Sequence, residues 1–262
     1  MDNTFEKEFQ FANKIITEAS QITLSYFEKN PKSRLKADKS IVTEADEHVE
    51  TFIRQKASST FPSYGFIGEE TDEDKKDITW IVDPIDGTSS FTRGITNFAT
   101  VIALLIEEQI VFSLIHLPVA NVLFTAQKDK GAEKNGKSIQ VSLIENMDNA
   151  LISIDRRAPQ VDYSMDYIDN FIKSYQVRIG DHAGVGSGYV AQGSIDLFIK
   201  FYQKIWDTAP ESLLIQEAGG IITDEFGDVL KLTYSKESKT NYIATNSILH
   251  KNYNDLLYYP KS

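Results

Sequence analysis

The chain has 262 residues, 41% of them hydrophobic, which is enough to bury a sizeable core in one large domain or two closely packed halves. With 38 acidic residues against 27 basic ones its formal charge is -11, which argues against tracking a nucleic-acid backbone or coating an anionic membrane. It has no cysteine and only four scattered histidines, so disulfides and thiolate chemistry are excluded, zinc is not expected, and any bound metal must be held by oxygen.

Met1 to Lys7 carry neither a basic n-region nor an apolar h-region, and no stretch of about 20 apolar residues follows, so a soluble, cytoplasmic protein is expected. Between Thr4 and Asn30, Phe11, Ile15, Ala19, Ile22 and Tyr26 recur every three or four residues and predict an amphipathic helix. Val49, Phe52, Ile53 and Ala57 predict a second helix beginning near Thr43 and closed by Pro62. There Thr43 serves as N-cap and Asp46 as a first-turn acid favoured by the helix dipole. Tyr64 to Gly68 read as a short strand ending in Glu69-Glu70, and the acidic run from Thr71 to Asp77 reads as solvated surface.

Ile78 to Val82 form the next strand, and because Pro84 cannot continue a ladder, Asp83 and Asp86 are placed at its carboxyl end, where α/β folds keep their chemistry. The two aspartates, with the Ile85 carbonyl between them, supply hard oxygen ligands for a divalent cation such as Mg²⁺. Glu69, at the end of a neighbouring strand, would join them, a convergence of like charges that is costly without a cation. Gly87 and Thr88 then offer backbone N–H groups to an anion.

Phe98 to Ile106, Gln109 to Leu117 and Asn121 to Gln127 predict an antiparallel meander. The Asn135-Gly136 turn inside Lys130 to Lys137 predicts a hairpin leading into Ser138 to Val141. A polar connection at Asn146 to Asn149 marks a candidate boundary. Beyond it we expect alternation: a strand from Ala150 to Ile154, a helix from Asp166 to Tyr175, a strand near Val177 and a helix from Ala183 to Gln192. A strand from Ile195 to Phe201, a helix from Thr208 to Ala218 and a strand from Ile221 to Asp224 complete an α/β half. Asp207 reads as the N-cap of the Thr208 helix, which stops at Gly219-Gly220.

Gly68-Glu69-Glu70, Asp83-Pro84-Ile85-Asp86-Gly87-Thr88, and Trp206-Asp207 followed by Glu217-Ala218-Gly219-Gly220 together resemble the inositol monophosphatase family in order and spacing. The resemblance implies an α+β fold, a layered αβαβα sandwich of the inositol monophosphatase / sugar phosphatase type. Residues 1–145 would form an α+β half with most metal ligands, and 146–262 an α/β half contributing Asp207 and the substrate pocket. It also implies a lithium-sensitive, homodimeric phosphomonoesterase that uses two or three Mg²⁺ per site on a small phosphate monoester. Glu69, Asp83 and the Ile85 carbonyl would hold the first cation, and Asp83, Asp86 and Asp207 the second. Thr88, oriented by Asp46, would position the attacking water together with Glu69. Two cations suit this reaction because they offset the phosphate's charge, activate water and stabilise the leaving alkoxide.

The resemblance implies a substrate-binding set of Asp86, Gly87, Thr88, Asp181, Lys200 and Asp207. Two positions depart from the family pattern. The run Gly180 to Gly188 replaces the usual one with adjacent alanines, and Lys200 stands where inositol-specific members carry a glutamate. An ammonium there favours an anion, unless Lys200 lies on a strand edge and points to solvent. The run Lys204-Ile205-Trp206-Asp207-Thr208-Ala209 resembles the related bisphosphate nucleotidases, so a 3'(2'),5'-bisphosphate nucleotidase, assisted by Arg156-Arg157 if that pair is more than a polar turn, is the alternative enzyme. A regulatory protein- or RNA-binding relative is the alternative of another class. The intact set Glu69, Asp83, Asp86, Thr88 and Asp207 argues against a purely non-catalytic role.

Overall fold

The protein is described from a computed structural model, which covers residues 5–29, 31–37, 39–156, 172–173 and 175–251. Helix α1 (Glu6–Tyr26) is followed by a small antiparallel hairpin, β1 (Ser33–Leu35) and β2 (Ile41–Thr43), and then by α2 (Glu44–Thr60). β3 (Gly65–Gly68) and β4 (Ile78–Asp86) pair in parallel, and the short α3 (Thr88–Phe91) follows. The meander is β5 (Ala99–Ile106), β6 (Gln109–Leu117), β7 (Val122–Gln127), β8 (Gly131–Lys134) and β9 (Lys137–Ile139), and it completes a seven-stranded sheet in the order β3 to β9.

The later residues contribute β10 (Leu151–Ile154), β11 (Gln176–Ile179), α4 (Ala183–Ala191), β12 (Leu197–Gln203), α5 (Ile205–Glu217), β13 (Gly220–Thr223) and β14 (Thr240–Asn246). Their five strands form a second sheet in the order β11-β10-β12-β14-β13. The expected alternation omitted β14, which pairs antiparallel with both β12 and β13 and makes this sheet mixed rather than parallel. The helix expected over 166–175 lies largely outside the described residues.

Period-2 burial explains the layering. On β4, Trp80 and Val82 face a cluster that includes Ile15 and Ile16 of α1 and Val49 and Ile53 of α2. Ile81 faces the other way, into a cluster holding Val185 of α4, Leu213 and Leu214 of α5, and Phe198 and Tyr242 of the second sheet. Helices α4 and α5 are thus packed between the two sheets, and the molecule is an α+β layered sandwich. The outer face of the second sheet carries its own cluster around Ile152, Leu197, Ile199 and Ile243. Glycine permits the closest approaches in the middle layer: a Cβ at Gly186 would lie 2.2 Å from the Phe198 ring, and one at Gly188 2.4 Å from the Phe124 ring. None of the described helices is long and apolar enough to cross a membrane.

Candidate active site

Strand β4 does not stop before Pro84 as expected but runs through it to Asp86, and the reason is a bulge. Asp83 pairs with Val101 and Asp86 with Ala99, so three residues of β4 advance against two of β5. Val101 and Ala99, two apart, point to one face of the sheet, and the extra residue brings Asp86 to that face beside Asp83. Proline is tolerated because the bulge interrupts the ladder, and the Pro84 carbonyl accepts a hydrogen bond from Thr100 Oγ1 at 3.0 Å.

The same face meets the first turn of α5. Asp207 is not the N-cap of that helix, since Lys204 occupies that position and Asp207 is the third helical residue. Its Oδ2 accepts the Lys204 N–H at 3.1 Å, which fixes the carboxylate at the helix start. Asp83, Asp86 and Asp207 each present an oxygen within 4.8 Å of the other two. Burial, then Asp86 and Glu69, push Asp207 up to about 7. Burial, followed by Glu69, Asp207 and Asp86, holds Asp83 well above the ordinary carboxylate range. Asp83 Oδ1 is buried without a hydrogen-bond partner. Three converging carboxylates with an orphaned oxygen form a hard donor set that a divalent cation fits.

Glu69 follows the Gly68–Val82 register and so lies beside Asp83, as the strand order predicted. Its carboxylate, however, is not in the three-aspartate group: Glu69 Oε1 accepts Lys36 Nζ at 2.7 Å, and Glu70 Oε1 accepts the same ammonium at 2.7 Å. Burial raises Glu69 while Lys36 pulls it down, and burial together with Glu69 pushes Glu70 up to about 7. Beneath this turn the fully buried Glu50 receives the N–H groups of Glu70 at 2.8 Å and Thr71 at 2.7 Å. A Cβ at Gly68 would lie 2.4 Å from the Glu50 carboxylate, so only glycine fits there.

Thr43 is the N-cap of α2, its Oγ1 accepting the N–H groups of Ala45 and Asp46. Asp46 closes the capping box by accepting the Thr43 N–H at 2.8 Å, and it also receives Thr88 Oγ1 at 2.9 Å. The helix-capping reading of Asp46 and its contact with Thr88 therefore both hold, one carboxylate oxygen serving each. Thr88 Oγ1 also lies 3.1 Å from the Ile85 carbonyl. Gly87 takes a φ of 98°, the left-handed conformation that turns β4 into α3, and its α-carbon face is closed by the His182 ring.

The second half supplies a polar wall. Asp86 Oδ2 accepts the Gly184 N–H at 2.7 Å, near the start of α4. Lys200 is not on an edge: it lies on β12 between β10 and β14, buried, with its Nζ 3.1 Å from Asp155 and donating to the Asp181 carbonyl at 3.0 Å. The Asp181 carboxylate is held by Ser153 at 2.7 Å and by two nitrogens of Arg178. Of the arginine pair, Arg157 lies outside the described residues. Residue-by-residue reading missed Lys36, Glu50, His182, whose Nε2 is 2.8 Å from Ser90 Oγ, and the buried Glu211, which accepts the Tyr242 hydroxyl. Only Glu211 gave a sequence signal, an acid four residues after Asp207 and so one turn along the same helix face.

A family model described as the inositol monophosphatase family matches residues 5–258. An inositol monophosphatase of Dictyostelium discoideum is 32% identical over 240 residues, covering 87% of this chain and 88% of that protein. A histidinol-phosphatase of Chlorobaculum parvum is 33% identical over 229 residues, covering 84% and 86%. Among solved structures, the extragenic suppressor protein suhB of Bartonella henselae aligns with a TM-score of 0.88 at 28% identity, covering 97% of this chain and 99% of that one.

Proposed function

Because the chain belongs to the inositol monophosphatase family, and is on that ground a phosphatase, we propose that it is a Mg²⁺-dependent phosphomonoesterase acting on a small phosphorylated polyol or sugar. The observation that carries this reading is the convergence of Asp83, Asp86 and Asp207 within 4.8 Å, from two separate layers of the fold. Divalent cations bound there would offset the charge of the phosphate and lower the pKa of the attacking water.

The chain's own groups do the rest. Asp83 lies between Glu69 and Asp86 and is the natural shared ligand, with Asp207 closing the set from α5. The Thr88 hydroxyl donates a hydrogen bond to Asp46, so its oxygen lone pairs can accept a hydrogen bond from water and orient it. The amides of Gly87 and Thr88 face the substrate phosphate at a turn fixed by the glycine's φ of 98°. Asp86 keeps its orientation through the Gly184 amide. No covalent intermediate on the protein is needed.

The bisphosphate reading rested on Lys200 and on the run from Lys204 to Ala209, and for Lys200 the contact with Asp155 at 3.1 Å weighs against it. Phosphate release from inositol 1-phosphate, histidinol phosphate, NADP and 3'-phosphoadenosine 5'-phosphate, with and without Mg²⁺ and Li⁺, tests the proposal. Turnover of a monophosphate that needs Mg²⁺, is inhibited by Li⁺ and disappears in Asp86→Asn is expected. Full turnover by Asp86→Asn would sink the two-cation assignment, and inertness toward every compound would favour a regulatory role. The same reading includes a homodimer, checked by light scattering.

A further inference from the structure

The cation reading leaves one lysine without an assigned role although it touches both halves of the site. Lys236 lies between β13 and β14, yet its ammonium donates to the carbonyls of Glu69 at 2.8 Å and Thr71 at 2.7 Å, more than 160 residues earlier in the chain. Its backbone N–H donates to Glu73 Oε2 at 2.9 Å, and its carbonyl accepts Lys204 Nζ at 2.8 Å. Lys204 is the N-cap whose N–H is held by Asp207. Both ammonium groups sit over the Trp206 ring, 5.8 Å and 5.7 Å from its centroid.

These contacts form a bridge between the residue that follows β3 and the first turn of α5. Glu69 is not on a regular element: it begins an irregular stretch whose N–H groups are held from below by Glu50. Glu69 lies beside Asp83 in register, and Asp83 converges with Asp207 to within 4.8 Å, so like charges crowd Glu69 when no cation is bound. Two carbonyl contacts from a cation anchored beside Asp207 oppose displacement of Glu69. We propose that Lys236 is a positioning residue that sets the separation of Glu69 from Asp207, so that divalent-cation affinity depends on it. The proposal rests on the cation site of the preceding reading, and none of the ligands themselves is involved.

Calorimetric titration of the full chain with Mg²⁺ and with Mn²⁺, alongside thermal unfolding in EDTA, tests it. Lys236→Met keeps the apolar stem and loses the donors, and we expect cation affinity to fall roughly 10- to 100-fold, the range for partners that orient metal ligands. Substrate KM at saturating Mg²⁺ should be unchanged and kcat should recover as Mg²⁺ is raised, while Lys236→Arg, which can donate to both carbonyls, restores most of the affinity. If Lys236→Met does not fold, Lys236→Gln takes its place, with an intermediate loss expected. Wild-type affinity in the variant that folds, or a loss of EDTA stability with affinity intact, overturns the proposal alone. Absence of cation binding by the wild type overturns the cation reading and this proposal together.

Discussion

Removing divalent cations should make this protein less stable as the pH rises. Asp207 is pushed up to about 7 by burial, Asp86 and Glu69, and Asp83 is raised as well. In an unfolded chain these groups titrate near 4. Between those values the folded state holds more protons than the unfolded one, so the contribution of each group is fully present below about pH 4 and is lost as the pH passes through its folded value. For Asp207 the difference between those two values corresponds to roughly 4 kcal/mol, a large part of the about 5–15 kcal/mol that holds a typical domain together. Urea unfolding at about pH 5 and about pH 8, in EDTA and in excess Mg²⁺, measures the effect. In EDTA the midpoint should fall between the two, and Mg²⁺ should raise it more at pH 8, where protons no longer compete for the carboxylates. At 100 times its dissociation constant the cation restores about 2.7 kcal/mol. A midpoint in EDTA that is flat or rises with pH, or an equal effect of Mg²⁺ at both, would refute the reasoning.

Asp83→Asn removes one of the converging charges and should raise cation-free stability at pH 8 by about 1 kcal/mol or more while abolishing phosphate release, the opposition expected where a site is built against stability. Calorimetry in EDTA beside an activity assay checks both signs. Thr88→Val should cut kcat by about 10²- to 10⁴-fold, with Mg²⁺ affinity in titration unchanged, and Thr88→Ser should retain most turnover. Lys200→Met strips the ammonium from the buried Asp155 and should cost about 3–5 kcal/mol in urea unfolding, with much of it recovered in Lys200→Met combined with Asp155→Leu.

The features legible in the sequence were those that local chemistry fixes. Thr43 and Asp46 announce a helix start whatever surrounds them, and the apolar run ending in Asp83 announces a buried strand. Element types came out well where periodicity was strong, as in α1 and the meander. Pro84 misled because the rule that proline ends a ladder ignores bulges, and only the pairing of Asp83 and Asp86 with Val101 and Ala99 reveals that the strand continues. Strand β14 was missed because Tyr242 to Thr245 is a short run whose central place in the sheet depends on β12, far earlier in the chain. Asp207 was found by resemblance but misplaced by three residues, since the helix begins on Ile205 before the sequence offers an ordinary cap. Lys36, Glu50 and Lys236 gave no local signal: each acts on Glu69 or its turn from a distant element.

The charges around the phosphate turn also bear on what the substrate carries. A second phosphate would need a cation not already engaged, and two basic groups on the second sheet are engaged. Lys200 faces Asp155, and Arg178 grips Asp181 with two of its nitrogens. Each pair is close to neutral. Of the other ammonium groups beside the acids, Lys36 is held between Glu69 and Glu70, Lys236 by the Glu69 and Thr71 carbonyls, and Lys204 by the Lys236 carbonyl. Cations in the acidic cluster would offset one phosphate, and paired polar groups are suited to hydrogen-bonding an uncharged alcohol. The electrostatics therefore support a monophosphate of a hydroxylated leaving group over a bisphosphate. A strong preference for 3'-phosphoadenosine 5'-phosphate in the substrate comparison would require Lys200 to leave Asp155, a rearrangement that a structure with that ligand would reveal directly.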